Sequence, residues 1–146
     1  MNGICPCEQG ELRSERGQPG LSGKSFTKCC EPYLNGSAIA KTPKQLMRSR
    51  YTAYALGGYG EYLLSTWLPE MTQGLAAESL SEKTLDWIKL EILDNSQKGD
   101  AGIVEFKAYY KDESGLEKVH HEKSTFKRMN RQWYYVEGDV KIETMP

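Results

Sequence analysis

The chain's four cysteines fall in two pairs, Cys5-Pro6-Cys7 and Cys29-Cys30, and sulfur in that pattern can bind metal. Four thiolates suit one zinc ion, which is borderline-soft, accepts four sulfurs in a tetrahedron and brings no redox chemistry. A site filled by Cys5, Cys7, Cys29 and Cys30 leaves no open position for water, so its zinc would be structural rather than catalytic. The spacing is not the common C-x2-C knuckle. Disulfides, a redox dithiol and a site that has lost its ion are the competing readings. Residues 1–36 are rich in Gly, Cys, Ser, Pro and charge. They hold too few apolar side chains to build a core, so metal-binding energy would be their folding energy. Between the two halves, Glu8 to Leu21 (EQGELRSERGQPGL) reads as an inserted solvated loop with Gly10, Gly17, Pro19 and Gly20 as breakers. Closing a longer loop costs little more, although its tip should be open to proteases. Lys24 and Lys28 are read as solvating an anionic thiolate cluster, with contact to an acidic partner or nucleic acid as the alternative.

A second constellation lies in Val119-His120-His121-Glu122-Lys123-Ser124-Thr125-Phe126. Strand alternation puts His120, Glu122, Ser124 and Phe126 on one face and His121 on the other. Phe126 belongs in the core, so Glu122 faces inward with it. An inward carboxylate must be paired or neutral, and Arg48 or Arg50 from an earlier helix is the available cation. A buried ion pair pinning helix to sheet is the plainest expectation. The functional alternative is a pocket lined by Arg48, Arg50, Tyr51, Trp67, Glu122 and Ser124. There Arg50 could grip an anion, and Glu122 or His120 is the candidate acid or base. Tyr54, Tyr109, Trp133, Tyr134 and Tyr135 add further aromatic surface, most of it expected in the core or the pocket lining, with a base-stacking platform as the alternative that the missing basic stripe disfavours.

The elements that must position these groups read in two blocks. Thr42-Pro43-Lys44-Gln45 opens a helix with a capping box and proline at the first helical position. Leu46, Met47, Tyr51, Tyr54 and Ala55 recur along it at helical spacing, and Gly57-Gly58 ends it. A shorter helix carries Tyr59, Tyr62, Leu63 and Trp67 and stops at Leu68-Pro69. A weak turn of helix is expected over 76–82. From Leu85 the period becomes two. Ile88, Leu90 and Ile92 mark one strand and Val104, Phe106, Ala108 and Tyr110 a second. Residues 116–127 form a third and 132–137 a fourth, with 94–100 and 112–115 as turns and a hairpin at 129–131. Helices followed by antiparallel strands give an α+β fold whose sheet buries one face under the helices.

Composition narrows the function classes. The chain has 146 residues, 38% hydrophobic and 27% charged, which fits one domain with a small appendage. The formal net charge is −1, too neutral for a protein that lives on phosphate backbones, so a nucleic-acid partner is disfavoured. No apolar run approaches the roughly 20 residues of a membrane span, and no secretion signal is visible, so a cytoplasmic location is expected. No P-loop, dinucleotide fingerprint, nucleophile elbow or HExxH is present.

Several stretches together resemble one family. Cys5-Pro-Cys7 with SGKSFTKCC (22–30) is similar to the SEC-C motif, also found in the tail of the SecA translocase, in which a CxC and a terminal CC or CH pair bind one zinc. With Pro32-Tyr33-Leu34, LMRSRYTAY (46–54), Thr66-Trp67, VEFKAYY (104–110), HEKSTF (121–126) and QWYYVEG (132–138), the chain resembles the YchJ family. The resemblance implies a zinc knuckle over 1–36 and a cystatin-like, nuclear-transport-factor-2-like α+β domain over 37–146. In that fold a bent antiparallel sheet wraps N-terminal helices into a cone with a pocket at its open end. The insertion at 8–21 departs from the motif. Longer members carry a second SEC-C motif after the cone, which is not seen up to Pro146, so a single knuckle is expected. The resemblance implies no particular reaction. The leading expectation is a zinc-stabilised module that binds a protein or small ligand. An enzyme using Glu122 and His120, and a ribosome- or secretion-associated factor, are the alternatives. The sheet could also pair two copies into a homodimer.

Overall fold

A computed structural model of the chain describes residues 4–8, 24–83 and 85–144. The inserted loop expected over 8–21 lies outside the described residues apart from Glu8. Two short N-terminal segments, each with a 3-10 turn (Pro6–Glu8 and Phe26–Lys28), are joined by an antiparallel bridge between Ile4 and Ser25. Helix α1 (Glu31–Leu34) follows directly on Cys30.

Helix α2 (Pro43–Leu56) is the central strut. Thr42 Oγ1 accepts the Gln45 N–H at 3.1 Å, and Gln45 Oε1 accepts the Lys41 N–H at 2.8 Å. These bonds satisfy donors that a helix start leaves orphaned. Thr42→Ala should therefore lower unfolding free energy by about 1 kcal/mol in urea titration, with an unchanged slope. The helix ends at Gly57, whose φ of 75° is costly for any residue with a Cβ. Helix α3 (Gly60–Ser65) and the short α4 (Ala77–Ser81) complete the helical layer. The described helices include none long and apolar enough to cross a membrane.

Strands β1 (Asp86–Lys98), β2 (Ala101–Lys111), β3 (Glu117–Met129) and β4 (Gln132–Thr144) form one antiparallel sheet in the order β1-β2-β3-β4. The chain is thus α+β, helices first and sheet after. Two strands run longer than their sequence suggests. The expected loop 94–100 is mostly strand, because Asp94 to Lys98 pair with Glu105 to Ala101. Likewise β4 continues to Thr144 because β3 offers it an unbroken edge, with Asp139 opposite Lys123 and Lys141 opposite His121. Ladder bonds and cross-strand pairs outweigh the poor strand propensity of these polar residues. The β3–β4 link is a two-residue turn with positive φ at both Asn130 (52°) and Arg131 (67°), the backbone that matches strand twist.

The pairing slips by one residue at Ile88, Leu93 and Val136, and such bulges bend a strand and re-aim its side chains. Ile88 was expected inward by simple alternation. The bulge instead turns Trp87, Leu90 and Ile92 toward the helices, where they pack with Phe106 and Tyr51. The core packs α2 against part of the inner face of the sheet, through Leu46, Met47 and Tyr51 with Leu90, Val104 and Phe126. Cys5, Cys7, Phe26 and Cys30 belong to that same buried cluster.

Candidate functional site

Two sites flank α2. The first is the cysteine cluster. The four Sγ atoms lie within 4.8 Å of one another and none is in a disulfide. Cys7 Sγ is 3.7 Å from Cys5 Sγ, 3.5 Å from Cys29 Sγ and 3.6 Å from Cys30 Sγ. Cys5, Cys7 and Cys30 are buried, and Cys29 is half-buried. The two halves are brought together by the Ile4–Ser25 bridge and by the Cys5 N–H donating to the Lys24 carbonyl at 2.8 Å. Hydrogen bonds inside the cluster hold the protons unequally. Those from Cys29, then Cys30 and Cys7, pull Cys5 down, while the bond to Cys29 leads those that push Cys7 up. This donor set can hold a metal ion. Lys24 and Lys28 are exposed at its edge.

Helix α2 reaches this cluster with two side chains one turn apart. Arg48 Nη1 donates to the Cys7 carbonyl at 3.1 Å and to Cys7 Sγ at 3.6 Å, and pairs with Glu8 at 2.8 Å. Thr52, fully buried, donates its hydroxyl to Cys30 Sγ at 3.2 Å. Donors of this kind orient sulfur ligands and offset their charge. Arg48 was expected in the pocket or on Glu122. It is at neither, because positions 48 and 52 share the helix face opposite the sheet pocket. Their four-residue spacing is the signal that could have linked both to the cysteines.

The second site is a cavity of about 450 Å3 between α2 and the inner face of the sheet. Arg50, Tyr51, Trp67, His120, Glu122 and Ser124 all line it, with Trp87, Phe106, Tyr110 and Tyr135 supplying aromatic wall. Alternation along β3 therefore placed its residues as expected, with His121 on the outer face beside Glu105 at 2.8 Å. The expected ion pair between Glu122 and an arginine is not formed. Glu122 Oε1 bonds His120 Nε2 at 2.7 Å, and Oε2 accepts from Ser124 and Tyr135 hydroxyls, each at 2.7 Å. Arg50 turns instead to the end of α3, donating Nη1 to the Leu63 carbonyl at 2.7 Å and to Thr66 Oγ1 at 2.8 Å. A cation is favoured at the end of a helix, where carbonyls lack partners. Its guanidinium also lies 5.0 Å from the Trp67 ring centre and 4.8 Å from that of Tyr135.

Burial opposes ionisation of Glu122, but hydrogen bonds from His120, Tyr135 and Ser124 outweigh it and hold the carboxyl below its ordinary range. The same burial, with Glu122's charge beside it, pushes the Tyr135 hydroxyl well up. An ionised Glu122 fixes the proton of a neutral His120 on Nε2 and leaves Nδ1 as the acceptor. The His120 ring stacks on Phe106 at 6.0 Å and meets Trp87 edge-on at 6.1 Å. A depressed folded-state value means that the unfolded chain binds the proton first. Glu122's contribution is complete above the unfolded glutamate value of about 4.3 and is lost as pH falls through its lower folded value. Glu122→Gln should therefore flatten the fall in stability below about pH 4, measured by urea denaturation across pH against the parent chain.

The model for the YchJ middle domain, an NTF2-like domain, matches residues 42–138. The chain belongs to the YchJ family. That match begins at the Thr42 cap of α2 and spans every residue of the pocket wall except Val140. This YchJ chain is 39% identical over 150 residues to a UPF0225 protein of Pectobacterium carotovorum, covering 99% of this chain and 87% of that one. It is 35% identical over 143 residues to a UPF0225 protein of Serratia proteamaculans, covering 94% and 84%. Its structure is similar to the solution structure of a SEC-C motif containing protein from Rhodopseudomonas palustris. The TM-score is 0.75 at 37% identity, covering 82% of this chain and 94% of that one.

Proposed function

We propose that this YchJ-family chain is a small-ligand-binding module stabilised by a structural zinc ion. The observation that carries the reading is the 450 Å3 cavity walled by aromatic side chains and floored by a bonded, buried carboxylate. Protein interiors pack to crystal density, and a hollow of this size with few convergent polar groups is the usual form of a ligand site. The volume suits a small molecule and the net charge of −1 argues against nucleic acid.

For the ion, Cys5, Cys7, Cys29 and Cys30 are the ligands. A tetrahedron with Zn–S bonds of about 2.3 Å has edges of about 3.8 Å. Four of the six sulfur separations, at 3.5 to 4.0 Å, bracket that edge, and all six lie within 4.8 Å. Four sulfurs close the coordination shell, so zinc here supplies folding energy and no reactive position. Arg48 and Thr52 would orient the sulfurs and offset their charge.

Elemental analysis of reductively purified protein should find one zinc per chain. A fragment library followed by amide and indole NMR should give shifts at Trp87, Phe106 and Tyr135. Ala108→Phe, which fills the hollow from β2, should abolish them while the melting transition stays. Shifts scattered over the outer face, or shifts that survive Ala108→Phe, would count against the pocket. Absence of metal would count against the zinc.

A second, enzymatic reading has one observation in its favour: the 2.7 Å His120–Glu122 pair lines the cavity, with Nδ1 of His120 as a base. It requires turnover that His120→Asn removes while ligand affinity stays. A variant with unchanged turnover would eliminate it.

A further inference from the structure

The cavity holds two opposite charges, and the protein satisfies them unequally. Glu122 receives three donors, from His120, Ser124 and Tyr135. Arg50 is 5% exposed. Every group that bonds it is neutral, and among the described residues no carboxylate pairs with it. Tyr135 stands between the charges, its ring against the guanidinium and its hydroxyl on Glu122. Burial opposes the charge of Arg50, and Glu122 acts on it only through space, with no hydrogen bond between them among the described residues. A buried cation without an anion is costly, and the cost falls when a ligand supplies the anion.

Other groups of the same wall lack partners too. Tyr51 and Tyr110 are 4% and 7% exposed, and their hydroxyls bond to no described residue. The buried Trp67 Nε1, on the ring that faces Arg50, has no acceptor among the described residues. The unserved polar groups of this wall are thus donors or hydroxyls, while the carboxylate already accepts three hydrogen bonds. Away from Arg50 the wall is apolar, through Phe106, Ala108, Phe126 and Val140.

We infer that the pocket takes a small monoanionic organic acid, its carboxylate against Arg50 and its apolar body on the Trp87–Phe106 wall. The inference rests on the ligand-binding reading above. One cation against Glu122 and the rim residue Glu82 disfavours a dianion such as a phosphate monoester. An organic cation would meet Arg50 and find Glu122's oxygens occupied. The volume admits a body of roughly one or two six-membered rings.

The test titrates the full reduced chain with 3-phenylpropionate, its neutral amide 3-phenylpropionamide and the cation 3-phenylpropylamine, following Kd by calorimetry and site by NMR. The acid should bind at least about tenfold tighter than the amide, and the amine weakest. Arg50→Lys should keep the preference, and Arg50→Gln should bring acid and amide within about twofold. Arg50 also caps α3, so the comparison of three ligands on the parent chain decides even if Arg50→Gln fails to fold. An amide or amine that binds as tightly as the acid overturns the inference and leaves the pocket standing. No shift at any lining residue with all three probes overturns both.

Discussion

Replacing Cys30 with serine is expected, on the proposed zinc reading, to abolish metal binding and to lower the melting temperature of the whole chain by roughly 10 °C or more. Cys30 is 1% exposed, touches Cys7 Sγ at 3.6 Å and accepts the Thr52 hydroxyl at 3.2 Å. Serine offers a hard, protonated oxygen in place of a thiolate, and three remaining sulfurs hold zinc far less well. A knuckle on a tether would lose its ion without moving the melting transition. This one shares a buried cluster with Leu46, Met47 and Tyr51. Losing the ion therefore disturbs the packing of α2 against the sheet, at a cost of about 4 kcal/mol or more. Calorimetry with and without a zinc chelator checks the cause. Chelation should reproduce the drop in the parent chain and add little in Cys30→Ser, because both remove the same interaction. A parent chain that melts unchanged in excess chelator would show that packing alone holds the cluster.

The second large effect is expected far from any sulfur, at Gly138. It sits opposite Ser124 in the β3–β4 ladder, under the Glu122 carboxylate. A Cβ at this position would lie 1.9 Å from Glu122 Oε2 and 2.4 Å from its carboxyl carbon. A long side chain could usually swing aside, but this one is tied by three hydrogen bonds. Gly138→Ala must break them or strain the strand, leaving His120, Ser124 and Tyr135 without their acceptor. The expected loss is about 2–4 kcal/mol in urea denaturation. In a Glu122→Ala background the obstacle is gone, so the same alanine should cost about 0.5 kcal/mol or less. Equal costs in both backgrounds would place the strain in the backbone rather than on the carboxylate.

The pocket side of α2 and the metal side differ in how they could be read. For Thr42, Pro43 and Gln45 the helix start follows from local chemistry, since each bond is made within a few residues. The inward face of β3 also follows locally, because alternation needs only a regular strand, and β3 is regular from Glu117 to Phe126 on its β2 side. Strand length does not follow so easily. Asp94 to Lys98 and Gly138 to Thr144 carry turn-like residues, and only a neighbour's free edge makes them strands. The partner of Glu122 was misjudged for a related reason. Charge matching names an arginine, but which donors reach a carboxylate depends on register and on where α3 ends. Tyr135 arrives beside Phe126 through a one-residue slip at Val136, and Arg50 is drawn away by the Leu63 carbonyl.

Taken by itself, the order of residues determined the α+β class, the four thiols as candidate metal ligands and the inward row His120, Glu122, Ser124 and Phe126. Each of these depends on residue type and short-range periodicity, which survive in any arrangement of the elements. Only the tertiary structure decided that Arg48 and Thr52 serve the sulfurs while Arg50 serves a hollow on the other side of the same helix. It also decided that Glu122 in that hollow receives three hydrogen bonds while Arg50 is bonded only by neutral groups. Those outcomes depend on bulges, strand register and helix ends, where a shift of one residue exchanges one neighbour for another.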